Sequence, residues 1–346
     1  MAAIAAGMHC VAGPKQLRQN SNPYRMPSPG DGLKNSFKNP SASRKSKMND
    51  PQRIQDRINQ VNILKQYQTP VFQLRDIPMV MRTRLGWPVS AKLMERWFNG
   101  NSYKMNPLMK KSREPYRLSQ LPSIYLDENI IKMKWALGFE RVNVAMENLK
   151  KKWNSPNGIE RLEEMIKKQG MHQKNIPSRF GDLSKAAKIL HETCQTNYWL
   201  IGKYGDPMDD FYGAMGESQL NIAVSGMVTP QERGKFSIEI DELGFYLRDC
   251  YDFNDENSPF EDRIGASQPL GCWGFTGVSC LTGWRFSINT NTELANISPE
   301  TAKNRKYLVA NSHFQKWRME NGKGGDFMIL SDVHRIRLPR PIKISW

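Results

Sequence analysis

Two spacings of apolar residues divide this chain. From Ile77 to about Thr196 they recur at three- and four-residue steps, the period of helices with one buried face. Leu93, Met94, Trp97 and Phe98 fall together in a helix predicted from Ala91 to Asn99, with Ser90 as its N-cap and Gly100 as its end. A basic, proline-punctuated stretch from Met105 to Leu121 reads as a loop. The longest helical pattern then opens at Asp127 or Glu128 and runs to about Trp153. Ile131, Trp135, Phe139, Val142, Met146, Leu149 and Trp153 make its inward stripe, which marks these aromatics as core, while Lys132, Arg141 and the lysines at 150–152 make its solvated edge. Gly158 to Gln169 and Asp182 to about Thr196 repeat the pattern, with Asp182 as a cap.

After about Tyr204 the period shortens to two. Short strands are predicted from Gln219 to Gly226, Gly234 to Asp241, Gly244 to Asp249, Gly283 to Asn289, Tyr307 to Ala310 and Phe327 to Asp332, separated by Gly, Pro and Asn turns. Phe236, Ile238 and Ile240 alternate with Ser237, Glu239 and Asp241, as in a half-buried antiparallel sheet. The expected fold class is α+β: a helical region over 61–203, then an antiparallel β-rich domain over 204–346. Residues 1–60 fit neither pattern. Ten Lys or Arg face three Asp there among Ser, Asn, Pro and Gly, so the segment reads as a disordered basic tail, serving either docking or nothing beyond solvation.

Charge narrows the partners without choosing among them. Fifty Lys and Arg against 34 Asp and Glu give a formal net charge of +16, which favours nucleic acid, an anionic membrane surface or a phosphorylated substrate. The cysteines (Cys10, Cys194, Cys250, Cys272 and Cys280) show no CxxC spacing, so neither a zinc site nor a disulfide framework is implied. The start of the chain lacks the pattern of a cleaved signal, and no apolar run is long enough to span a bilayer. The protein is therefore expected to be made in the cytoplasm and, if exported, to leave without a cleavable signal.

One stretch concentrates candidate chemistry. Asp249, Tyr251, Asp252 and Asn254 follow one another where the strand from Gly244 runs out. A bend there would let both carboxylates converge. Asp249 and Asp252 could then hold a hard divalent cation such as Mg²⁺, with a carboxylate as general base and Arg263 clamping a phosphate. The same residue types also serve as ordinary turn and strand-end residues, and spacing alone leaves both readings open. Gly322-Lys-Gly-Gly-Asp326 lacks the setting of a phosphate-binding loop and reads as a hairpin turn. His191, His313 and His334 have no spacing that links them to the acids.

Gly234-Lys-Phe-Ser-Ile followed by Gly244-Phe-Tyr-Leu-Arg-Asp-Cys-Tyr-Asp-Phe-Asn254 resembles the segment of colicin M-type bacteriocins that carries an Asp-x-Tyr-Asp-Phe-Asn signature. The resemblance covers about a third of the chain. It implies a helical region fused to a partly open β-barrel and a metal-dependent hydrolase of the undecaprenyl pyrophosphate linkage of the peptidoglycan precursor lipid II. It also implies roles for Asp249, Tyr251, Asp252 and Asn254. The basic pair that follows the signature in those bacteriocins is replaced by an acidic insert, with Asp262-Arg263 as the nearest counterpart. The segment around Trp87 to Trp97 and the terminal GKGGDF and SDV also resemble a group of proteobacterial proteins met near type VI secretion spike genes.

The expected function is thus an antibacterial effector acting on lipid II in a target cell's periplasm. Its implied partners are a secretion spike protein, a cognate immunity protein and transient contact with a membrane surface; no stable nucleic-acid complex is expected. The alternative is a non-enzymatic spike adaptor or a binder of anionic polymers.

Overall fold

The computed structural model describes residues 51–52, 55–56, 71–112, 115–202, 206–255, 267–279 and 305–346. The principal compact unit takes in residues 72–288 and 304–346, together with residues 1–9. A second unit comprises residues 10–71 and 289–303. The basic tail over 1–60, the strand expected from Gly283 to Asn289 and Arg263 lie wholly or almost wholly outside the described residues.

The principal unit opens with α1 (Ile77–Val80), which runs on through a wider turn to Leu85, then α2 (Pro88–Asn99) and the short α3 (Pro107–Lys110). Next come β1 (Leu126–Asp127), α4 (Met133–Ala136), α5 (Glu140–Lys152), α6 (Pro156–Lys168), β2 (Ser178–Phe180), α7 (Ala187–Thr193) and β3 (Gln195–Ile201). Then α8 (Asp210–Met215) precedes β4 (Ser218–Pro230), β5 (Phe236–Tyr251), β6 (Pro269–Gly274), β7 (Gly277–Ser279) and β8 (Tyr307–Ala310). Last are α9 (Asn311–Asn321), β9 (Phe327–Leu330) and β10 (His334–Ser345).

The β4–β5 hairpin is the spine of a curled, antiparallel-rich half-barrel of seven strands among the described residues, ordered β1-β9-β5-β4-β2. β10 shares the far edge of β5 with β9, and β3 shares the far edge of β4 with β2. Only β1 with β9 is a parallel pair in this sheet. A smaller sheet runs β7-β6-β8. The α+β class is as expected, and the stripe Ile131, Val142, Met146, Leu149 and Trp153 is buried. The helical and β-rich regions, expected to meet as two domains near residue 203, lie in one compact unit and share one core that runs from Ile77 to Leu330.

Several expected elements take another form, each for a visible reason. The helix from Asp127 to Trp153 is broken. Asp127 is buried against Arg96, and its carboxylate accepts from the backbone N–H of Asn129 and Ile130 at 2.9 and 2.7 Å, closing a turn where a helix would begin. The chain breaks again at Gly138, between α4 and α5. The helix expected from Asp182 shrinks to α7, because Asp182 caps a local turn at Ser184 and the chain enters β3 at Gln195. Two expected strands, 234–241 and 244–249, are one 16-residue strand, β5. The stretch 105–121 is a loop interrupted by α3 and a turn at Leu118–Gln120. The glycine run 322–325 joins α9 to β9 and is not a hairpin between strands.

Ser90 is not the cap of α2. Pro88 begins the helix, and the capping acceptor is Asp210, whose carboxylate takes the N–H of Val89 and Ser90 at 3.1 and 2.8 Å. The Ser90 hydroxyl lies 2.7 Å from the Asp210 carbonyl oxygen and 2.8 Å from its carboxylate, tying α2 to α8. Ser90→Ala will lower unfolding free energy by about 1.5–3 kcal/mol, the value of a hydrogen bond to a charged group, as read from urea denaturation.

Candidate functional site

Alternation along β5 decides where each signature residue goes. Arg248, Asp249, Cys250 and Tyr251 pair with Leu330, Ile329, Met328 and Phe327 of β9, and successive side chains face opposite sides of the sheet. Arg248 and Cys250 face the segment at Lys110: the Arg248 guanidinium donates to the Lys110 carbonyl oxygen and to Ser112 Oγ, and Cys250 Sγ is 4.0 Å from that same carbonyl. Tyr251 goes the other way. It is fully buried, stacked on Phe327 and edge-on to Phe253, and burial pushes its hydroxyl well above the ordinary tyrosine range.

Past β5 the chain turns on Asp252. Its Oδ1 accepts from Asn254 N at 3.0 Å and from Lys110 Nζ at 3.1 Å, and the residue is 6 % exposed. Asn254 is buried in turn and donates from Nδ2 to Asp326 Oδ2 at 2.9 Å. Asp249 is half-buried, and desolvation pushes its carboxyl up to about 7, with the Asp252 charge adding to the effect. Asp249 and Asp252 are thus electrostatic neighbours with different surroundings.

Asp252 Oδ1 already holds an ammonium group, and no group of three or more His, Cys, Asp or Glu able to hold a metal ion occurs among the described residues. His191 is held 3.0 Å from the Tyr246 hydroxyl. Burial, with the charges of Arg248 and Arg161, pushes its ring down to about 3, so it is neutral at physiological pH. His313 accepts from Ala310 N at the start of α9, and His334 opens β10.

Two features were not legible in the sequence. Asp326, read above as part of a turn, is buried and gathers Trp97 Nε1 at 2.9 Å, Met105 N at 3.0 Å, Arg318 Nη2 at 2.7 Å and Asn254. The second is a cleft of about 1700 Å³ walled by the faces of β3, β4 and β5, by α6 and α7 and by the segment after α3. Among the described residues its cations are Lys110, Lys111, Arg117, Arg161, Lys168 and Arg248, against the single acid Glu192, which accepts from Ser119. Both Arg248 and Lys110 line the cleft; Lys110 also contacts Asp252, and the Arg248 charge acts on Asp249. Arg248 carried no signal in a chain this rich in arginine, although its place beside Asp249 was visible.

The sequence profile described as "Family of unknown function (DUF6402)" matches residues 72–346. The chain belongs to the DUF6402 family. No curated protein and no solved structure matches it. In this DUF6402 chain both the acid cluster and the cleft fall within the matched residues, and no described helix is long and apolar enough to cross a membrane.

Proposed function

We propose that the protein binds a phosphate-bearing anion in the basic cleft and hydrolyses a phosphate linkage of that ligand beside Asp252. The linkage of undecaprenyl pyrophosphate in lipid II is the candidate that the colicin M-like signature names. The observation that carries the reading is the junction of the two features. Lys110 sets its ammonium on Asp252 and its carbonyl oxygen on Arg248, so the cation that meets a phosphate in the cleft touches the acid cluster.

Each group then has a task. Arg248 and Lys110 offset phosphate charge, and Asp252, once released by Lys110 to the phosphate, accepts a proton from the attacking water. The reading brings with it export without a cleaved signal, delivery by a secretion spike, transient contact with a membrane face in a target cell's periplasm and an immunity protein in the producer.

The test is turnover of purified lipid II by the full chain, with and without added Mg²⁺, read as release of the sugar-peptide bearing pyrophosphate. Asp252→Asn is expected to slow release about 100-fold, the lower range for loss of a general base. Absence of turnover by the unaltered protein under both conditions overturns the hydrolase reading.

A second reading, binding of an anionic polymer without chemistry, is favoured by the aromatic residues Tyr198 and Trp199 in the cationic wall. It is distinguished by affinity for single-stranded nucleic acid that falls steeply with salt and is unchanged by Asp252→Asn.

A further inference from the structure

The floor of the cleft carries hydrogen-bonding groups of both kinds. Arg248, Asn221 and Thr196 are 7 %, 1 % and 3 % exposed, and Arg248 Nε, Asn221 Oδ1 and Thr196 Oγ1 have no hydrogen-bond partner among the described residues. The first only donates, the second only accepts and the third does either. Asn221 Nδ2 donates to Gln219 O at 3.3 Å, which leaves Oδ1 as the atom over. Strand register places these groups in two rows on one face: Leu200, Gln219 and Arg248 side by side, and Tyr198, Asn221 and Tyr246 next to them. Thr196 sits in the bulge of β3 beside Asn197, and the Tyr198 side chain is half exposed in the same wall.

The rim differs from the floor, since Lys110, Lys111, Arg117 and Lys168 offer only positive charge. A bare phosphate suits this rim but not the floor, where the Asn221 carbonyl oxygen repels an oxyanion and a buried acceptor left unpaired is costly. A hydroxyl or an acylamino group offers donor and acceptor together, and a ring with an apolar face covers an exposed tyrosine.

We propose that the cleft is a site for a phosphorylated sugar, with its phosphate among the rim cations, its hydroxyl or acylamino groups on Arg248, Asn221 and Thr196, and its ring against Tyr198. The proposal rests on the reading of the cleft as a phosphate site and names what the phosphate is attached to. It shares Arg248 and Lys110 with the hydrolysis proposed above but asks nothing of Asp252, so binding of the sugar phosphate is measured apart from turnover.

Calorimetric titration of the full chain with inorganic phosphate, with N-acetylglucosamine and with N-acetylglucosamine 1-phosphate tests it. The sugar phosphate is expected to bind about tenfold more tightly than phosphate, the gain of one or two net hydrogen bonds. Thr196→Val and Asn221→Leu are expected to abolish that margin and leave phosphate affinity in place, whereas Lys168→Ala weakens both anions alike. Tyr198→Ala, at an exposed position that does not disturb the core, is expected to shrink the margin and serves should Asn221→Leu fail to fold. Equal affinities for phosphate and sugar phosphate, or a margin that survives Thr196→Val and Tyr198→Ala, overturn the proposal. A margin without lipid II turnover upholds the sugar-phosphate site and removes the hydrolase, and turnover without a margin does the reverse.

Discussion

Asp326→Ala will lower unfolding free energy by about 3–5 kcal/mol, the range for breaking a buried ion pair by removing one partner. The Asp326 side chain is fully buried and that of Arg318 is 8 % exposed, 2.7 Å away, so the substitution strands a guanidinium in the core. It also orphans Trp97 Nε1, Met105 N and Asn254 Nδ2, whose partners it removes. Burial, with the charge of Asp252, holds the Asp326 carboxyl above the usual range, while Arg318 and the donors Trp97 and Met105 pull the other way. Chemical denaturation with and without the substitution measures the loss. Asp326→Asn, which keeps the shape but not the charge, should lose less and still drop the melting temperature. Because Asn254 hangs on Asp326, either change should also disturb the turn at Asp252.

Asp249→Asn is expected to stabilise the protein above neutral pH by as much as about 4 kcal/mol. In the folded chain the Asp249 carboxyl keeps its proton up to about 7. In the unfolded chain it gives the proton up near the ordinary value of about 3.9. Between those limits the native state binds more protons than the unfolded state, so stability falls as pH rises, levelling off above about 7. Roughly three units at 1.36 kcal/mol each set the upper bound, and the amide, which never ionises, is exempt from the loss. Melting temperatures taken from pH 5 to pH 8 should diverge between the two proteins, with the variant flatter. If the two profiles run parallel, Asp249 is not the source of the dependence. A variant that gains stability while losing lipid II turnover would mark Asp249 as a residue kept for chemistry at the expense of the fold.

What the sequence disclosed, and what it hid, follows from where each residue finds its partners. The alternation Phe236, Ile238, Ile240 was visible because a strand's two faces are written in its own next few residues. Gly244 looked like an interruption. It lies within β5 because an added Cβ would meet Val333 and Leu183 at 3.1 and 3.3 Å, so the glycine serves close packing by side chains far along the chain. The stripe from Ile131 to Trp153 was correct as to burial and misleading as to continuity. Apolar spacing carries across Gly138 unbroken, and the earlier break depends on Asp127 being taken by Arg96 from another element. The positions of Tyr251, Asp252 and Asn254 at the end of a strand were legible. Their burial was not, since Lys110 and Asp326 lie 142 and 72 residues away. The cleft draws single residues from several elements, and no local pattern announces such a surface.

The aromatic knot around Trp97 sets an order of events during synthesis. Trp97 packs on Phe253 and Phe314 with ring centroids 4.9 and 5.5 Å away, and Gly324 lies so close that a Cβ there would sit 2.5 Å from the indole. β1 likewise waits for β9, its partner about 200 residues later. These contacts cannot all close until residues near 326 have left the ribosome, so α2 emerges with its apolar face uncovered and must be shielded or kept soluble through much of translation. Folding of this unit is therefore a late event, and its yield in the cell depends on how long that exposed interval lasts.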